Sequence, residues 1–197
     1  MIKRIFDIIA AFVGVVVLSP LIILLCIIIP IDSKGSPFYI QKRVGRNNKD
    51  FNLYKFRTMR IGADKGGLLT VGGKDSRITR IGYWLRKFKI DEIPQLFNIL
   101  KGEMSVVGPR PEVRKYVDMY TPRQMQVLNV RPGLTDLASI KYVNENEILG
   151  QSSDPEKTYI EKIMPEKIEL NLQYIEKQSF LYDLKLIFKT LSAIVGK

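Results

Sequence analysis

VGVVVLSPLIILLCIIIPI (Val13–Ile31) is apolar enough to enter a lipid bilayer, yet Ser19-Pro20 interrupts its middle. The uncharged run is longer still, 24 residues from Ile8 to Ile31. As a straight helix it would reach about 36 Å, against a hydrocarbon core of about 30 Å. It is too long for the core of a signal peptide and offers no small-residue cleavage site. Lys3 and Arg4 precede it, and Lys34, Lys42, Arg43 and Arg46 follow it. A single span should concentrate basic residues on one side. Positive charge at both ends instead favours a segment that enters the membrane and returns. Pro20 supplies a place to bend, because it removes the hydrogen bond to the Val16 carbonyl and crowds it. The Ser19 hydroxyl is suited to satisfy a freed backbone group. A kinked helix that crosses the bilayer remains the alternative.

The charge balance extends the argument. The 197 residues carry 31 Lys+Arg against 20 Asp+Glu, a formal net charge of +11, which favours anionic partners. There is one cysteine, Cys26, and no histidine. That excludes a disulfide framework, Cys or His zinc sites, and Ser-His or Cys-His catalysis. Any chemistry falls to carboxylates, lysine, arginine and a metal.

Beyond the apolar run the chain reads as one compact polar domain. Pro37–Gly45 and Phe51–Met59 alternate β-branched and aromatic residues between turn formers, and predict a short hairpin. Arg60–Asp75 is glycine-rich without P-loop spacing, and predicts a mobile surface loop. Ile78, Ile81, Leu85 and Phe88 recur at helical spacing among Arg77, Arg80, Arg86, Lys87 and Lys89, which predicts a basic amphipathic helix for an anionic membrane surface. A solvated charged face over a core stripe is the alternative. Asp91-Glu92 then opens a further helix, with Asp91 at or near the N-cap and Pro94 in its first turn. Capping explains an acidic residue there. A carboxylate at a helix start flanked by Arg86 and Arg110 also suits phosphoryl transfer, in which positioning and charge neutralisation dominate. In VGPRPE (Val107–Glu112), prolines on either side of Arg110 stiffen the backbone that presents a bidentate phosphate binder. Thr121-Pro122-Arg123-Gln124 is a capping box that opens a helix to Asn129. Glu156–Lys177 is predicted helical with an interruption at Pro165. Phe180, Leu184, Phe188, Leu191 and Val195 form a stripe on a last helix, for core, partner or membrane.

Four segments, FDIIAAFVGVVVLSP, YKFRTM, DSRITRIGYWLRKFKIDEIPQLFNILKGEMSVVGPRPE and VRPGLTD, resemble in order and spacing the bacterial sugar transferases, specifically the small monotopic phosphoglycosyl transferases. The resemblance covers about Lys3 to Leu137 plus the C-terminal helix. It implies the minimal catalytic form, since the chain starts at the membrane segment. The fold class it implies is α+β and mainly helical. A re-entrant membrane helix broken at Ser19-Pro20 occupies residues 1–33. A cytoplasmic catalytic domain occupies 34–197, with a short hairpin and membrane-surface amphipathic helices.

The implied reaction moves a phosphosugar from a UDP-sugar to a polyprenol phosphate, usually undecaprenyl phosphate, with release of UMP and a requirement for Mg²⁺. It runs through a covalent phosphosugar on an aspartate. On this chain Asp91 is then the nucleophile and the Mg²⁺ contact. Glu92 is its partner, in acid/base or metal-organising work. Lys55, Arg57, Arg86 and Arg110 are phosphate-binding positions. The implied setting is the cytoplasmic face of a bacterial inner membrane, with membrane phospholipids as partners, no nucleic acid, and a homodimer left open. After RPGLT the family commonly continues Gly-Trp-Ala-Gln. Here Asp136-Leu137-Ala138-Ser139 stands instead, which bears on donor preference if that loop lies near the substrate. A non-enzymatic, membrane-anchored basic binding module is the rival, and so is a scaffold in which the acidic pair only caps a helix.

Overall fold

The computed structural model describes residues 2–63, 69 and 75–195. The apolar run forms α1 (Ile2–Asp32), a helix of 31 residues that continues through Ser19-Pro20. The expected break is therefore not an end of helical structure. The Ser19 hydroxyl donates to the Val16 carbonyl at 2.7 Å, the acceptor that Pro20 leaves without its amide partner. That bond compensates the loss, so the ladder resumes beyond the proline.

One stripe of α1 faces the rest of the protein along its whole length. Asp7, Ala11, Leu25 and Ile29 are buried, and a Cβ added at Gly14 would sit 3.1 Å from Leu96. Large apolar residues on the other faces, including Ile9, Phe12, Val17, Ile23 and Ile27, are more than half exposed. Both ends are fastened. At the start, Lys3 pairs with Asp183, Arg4 donates to the Ile99 carbonyl at 2.8 Å, and Asp7 accepts from Ser105 Oγ (2.9 Å) and the Val106 amide (3.0 Å). At the far end, Asp32 accepts from the Ile81 amide at 3.1 Å.

The predicted hairpin is present as β1 (Phe38–Val44) and β2 (Asp50–Phe56), antiparallel with Tyr39 opposite Lys55. The basic amphipathic segment folds as α2 (Arg80–Lys87), capped by Thr79, whose side chain accepts from the Gly82 amide at 3.0 Å. Tyr83, Trp84 and Phe88 remain exposed beside it. Most of the glycine-rich segment lies outside the described residues. The predicted helix at Asp91 divides in two: a short 3₁₀ turn, Ile90–Glu92, and α3 (Gln95–Lys101), whose N-cap is Pro94. Asp91 is thus not the cap of α3. Lys89, with φ of 57°, makes the left-handed turn that separates the acidic pair from α2.

A second, parallel ladder joins β3 (Ser105–Val107) to β4 (Gly133–Thr135). Nothing in its short segments alternates strongly enough to announce strands. Its close approach depends on glycine, since a Cβ at Gly133 would fall 2.1 Å from the Gly108 nitrogen. After β3 comes α4 (Arg114–Val117). The capping box forms as read, with Thr121 and Gln124 exchanging side-chain-to-amide bonds of 2.9 and 3.3 Å ahead of the 3₁₀ helix Gln124–Asn129. The C-terminal part is helical: α5 (Leu137–Lys141), α6 (Glu145–Gly150), α7 (Pro155–Thr158), a π turn at Tyr159–Ile163, α8 (Met164–Glu176) and α9 (Phe180–Val195). Pro165 sits in the first turn of α8, where its missing amide costs little.

The core follows these elements. Ala11 of α1 packs with Leu53, Ile99 and Met104, and Leu25 and Ile29 pack with Phe56 and Leu85. A separate cluster centred on Tyr116, Leu149, Tyr159 and Ile168 builds the C-terminal half. On α9, Leu186 is buried while Phe188 and Leu191 of the predicted stripe face outward.

Candidate active site

Asn98 fixes the platform on which the acidic pair stands. It is fully buried in α3, accepts from the Tyr54 amide at 3.0 Å, and donates to the Asn52 carbonyl and to Glu103 at 2.7 Å each. These bonds clamp α3 to β2, so the turn preceding α3 meets Lys55 on the strand. Both acidic side chains are buried, at 7% exposure each.

Their environments differ. Glu92 is fully engaged: Arg110 reaches both of its carboxylate oxygens, and the Lys55 ammonium lies 3.5 Å from Oε1. Burial opposes its ionisation, but Arg110, Lys55 and Lys89 together overcome that and hold it well below the usual carboxylate range. Asp91 Oδ1 is buried with no hydrogen-bond partner. Burial pushes the Asp91 carboxyl above its ordinary value, Glu92 adds to the rise, and Lys55, Lys89 and Arg86 oppose it. The pair therefore separates into a fixed anion that anchors two cations and a second carboxyl with an unused oxygen. Desolvation also lowers the Lys55 ammonium, and Glu92 opposes it. Glu92 raises Arg110 further, against the effect of burial.

A cleft of about 550 Å³ runs past these groups, and Asp91, Glu92, Lys55, Arg86 and Arg110 all line it. A neighbouring cavity of about 430 Å³ shares Asp91, Lys55, Arg86 and Arg43 with it. Of the six residues that the sequence brought forward here, Asp91, Glu92, Lys55, Arg57, Arg86 and Arg110, all line this cleft except Arg57. Arg57 stands apart. It lines the neighbouring cavity, but its guanidinium donates to the carbonyls of Ser33, Lys34 and Gly35 just beyond α1. This geometry makes it a clamp on the end of the helix, while its Nε is buried with no hydrogen-bond partner. Ser19-Pro20 lies in α1 and lines neither cavity, although the adjacent Leu18 lines the cleft.

Sequence reasoning missed three contributors. Arg43 lines both cavities and pairs with Glu112 at 3.0 Å. Lys89 lines the cleft from the left-handed turn. Asp136, singled out in the sequence only as part of an altered loop and not as a partner of Arg110, is 2% exposed and accepts the Arg110 amide at 3.2 Å. The spacing between the VGPRPE and RPGLTD segments held the only signal, and it becomes contact through the β3–β4 ladder.

For a divalent cation, the described residues contain no group of three or more acidic or thiolate ligands. Mg²⁺ does not need one, because it commonly binds through one or two carboxylates plus substrate phosphates and water. The unpartnered Asp91 oxygen is the donor in this cleft that fits that pattern, since both Glu92 oxygens are taken.

The chain is 38% identical over 197 residues to the UDP-N-acetylgalactosamine-undecaprenyl-phosphate N-acetylgalactosaminephosphotransferase of Aeromonas hydrophila, covering 98% of this chain and 44% of that one. It is 35% identical over 209 residues to the exopolysaccharide production protein ExoY of Rhizobium meliloti, covering 98% and 85%. It is 32% identical over 196 residues to the UDP-glucose:undecaprenyl-phosphate glucose-1-phosphate transferase of Caulobacter vibrioides, covering 98% and 69%. Several of its curated relatives are longer, and the chain spans less than half the length of these. The model of the bacterial sugar transferase family matches residues 1–197, so the block that places Asp91, Glu92 and Arg110 in one cleft belongs to a member of that family.

Proposed function

We propose that this protein transfers a sugar 1-phosphate from a UDP-sugar to a polyprenol phosphate, undecaprenyl phosphate being the acceptor named for its relatives. The observation that carries the proposal is the buried, unpartnered Asp91 oxygen in a cleft walled by Lys55, Arg86 and Arg110. Asp91 is not spent as a helix cap, since neither the 3₁₀ turn nor α3 has a side-chain cap bond.

The chemistry balances without a proton donor. An Asp91 oxygen attacks the β-phosphorus, the bond from that phosphorus to the bridging oxygen breaks, and UMP departs with that oxygen. A phosphate oxygen of the polyprenol phosphate then attacks the same phosphorus and releases the Asp91 carboxylate, which leaves a polyprenyl diphosphosugar. The covalent intermediate allows two bulky anions to use one site in turn. Glu92 keeps Arg110 and Lys55 in place, and these cations with Arg86 offset phosphate charge that would repel Asp91. Mg²⁺, held by Asp91 and substrate phosphate oxygens, would supply further neutralisation of the diphosphate.

The membrane arrangement belongs to the same proposal. One substrate is water-soluble and the other stays in the bilayer, so the site must lie at the interface. Side chains at both ends of α1 grip the same domain, through Lys3, Arg4 and Asp7 at one end and Asp32 at the other. A helix that crossed the bilayer would carry one set of these contacts to the opposite face. This supports α1 as a wedge whose two ends stay on the cytoplasmic side, with the exposed aromatic residues of α2 and the outer face of α9 at the lipid surface.

UMP release tests the reaction. Purified protein in lipid particles would receive Mg²⁺, undecaprenyl phosphate and a panel of UDP-sugars, alongside Asp91→Asn. UMP from one donor, reduced by at least about a thousandfold in the variant, is the expected outcome. UMP formation at an undiminished rate by Asp91→Asn would remove the covalent mechanism. Silence with every donor from folded, lipid-supplied protein would return the binding-module alternative.

A further inference from the structure

The same cleft continues past Arg110 to a second polar group with an unmet bond. Asn171 on α8 lines it at 6% exposure, and its Oδ1 is buried with no partner. The orientation of this amide is dictated by its neighbour. Asn171 Nδ2 donates to Asp136 Oδ2 at 3.4 Å, and that same oxygen takes the Arg110 amide at 3.2 Å. The other Asp136 oxygen accepts from the Ser139 amide at 2.6 Å. Asp136 receives three donors and offers none, so only the NH₂ end of Asn171 can face it. Oδ1 must then point away, as an acceptor. A buried amide oxygen left unpaired is costly, and a fold that holds one rigidly beside a substrate cleft is prepared for a donor from outside the protein.

We propose that Asn171 Oδ1 accepts a hydrogen bond from the sugar of the nucleotide-sugar donor, making the Asp136–Asn171 pair the sugar-reading part of this cleft. The inference rests on the function proposed above. The connection runs from Glu92 through the Arg110 side chain to its own backbone amide, then across Asp136 to Asn171. Two residues, Arg110 and Asp136, and three hydrogen bonds therefore link Asn171 to Glu92. That fits the sugar, which is attached directly to the attacked phosphate, better than the base, which a second phosphate and a ribose hold farther off. The acceptor calls for an O–H or N–H on the sugar, either a hydroxyl or an acylamino group.

The test is binding in an Asp91→Asn background, so that no turnover occurs. UDP-N-acetylgalactosamine, UDP-glucose and UDP are titrated against that protein and against versions carrying Asn171→Leu or the smaller Asn171→Ala. Thermal unfolding is followed in parallel. The expected result is about tenfold weaker binding of the preferred UDP-sugar, the worth of one buried hydrogen bond, with UDP binding unchanged in whichever variant folds. Equal weakening of UDP would assign Asn171 to the nucleoside and overturn the proposal. Unchanged binding of all three, with only a shifted Tm, would make Asn171 a packing residue and overturn it too. No binding of any of the three to the protein with Asn171 intact would instead bring down the underlying reading of the cleft.

Discussion

Asp91 and Glu92 are adjacent in the chain and opposite in electrostatics. Glu92 spends its charge on Arg110 and Lys55, whereas Asp91 keeps a buried oxygen unpaired. The Asp91 carboxyl is raised from its ordinary value by burial. It must be ionised to attack phosphorus, so the acid limb of the first half-reaction should lie above the range of an exposed aspartate, near 3.9. Lys55 is the strongest influence holding that value down. Lys55→Met should therefore move the acid limb to still higher pH, as read from UMP release against pH; a downward move would contradict the assignment. Stability runs the other way. A carboxyl whose folded pKa is raised contributes nothing well below its unfolded value and destabilises the fold as pH climbs through both. Asp91→Asn should accordingly leave Tm near neutral pH unchanged or raise it, while abolishing activity. A helix cap would lose about 1 kcal/mol and lower Tm instead.

At the scale of elements, the site depends on a ladder only three residues long on each side. β3 and β4 bring Arg110 against Asp136, and they approach so closely that Gly108 and Gly133 leave no room for a Cβ. Gly133→Ala should cost roughly 2–4 kcal/mol by forcing the strands apart. It should also weaken donor binding, because the Arg110 amide loses its acceptor. Thermal melts and nucleotide-sugar titration of the same variant check both. Loss of stability with intact binding would show that the ladder supports the fold without setting the site. The hairpin and the capping box needed no such help, since both are local: register and turn residues decide the one, two side chains three positions apart the other.

For the whole molecule, the decisive relation is that between α1 and everything else. A straight helix of 31 residues would be about 45 Å long, more than a bilayer core, yet both of its ends hold the same domain. With Cys26 replaced by serine, single cysteines at Ile2 and at Lys34 should react with an impermeant thiol reagent from the same side of sealed inverted vesicles. Reaction from opposite sides would establish a span and require the contacts of Asp7 or Asp32 to be absent in the membrane.

The sequence by itself determined the long apolar helix, the hairpin, the acidic pair and the basic residues destined for one cleft, because hydrophobic length, residue type and local spacing are written along the chain. It also pointed to Ser19 as the partner of the carbonyl that Pro20 orphans. The tertiary structure decided what depends on residues distant in the chain. It tied the Arg57 guanidinium to the backbone carbonyls that follow α1, a contact no local spacing announced. It withdrew Asp91 from capping by placing a left-handed turn before it and Pro94 at the start of α3. It joined Asp136 to Arg110 and Asn171 across 26 and 35 residues. A guanidinium or an amide has the same composition wherever it falls; which partner it meets is settled only when the core brings separate segments within hydrogen-bond reach.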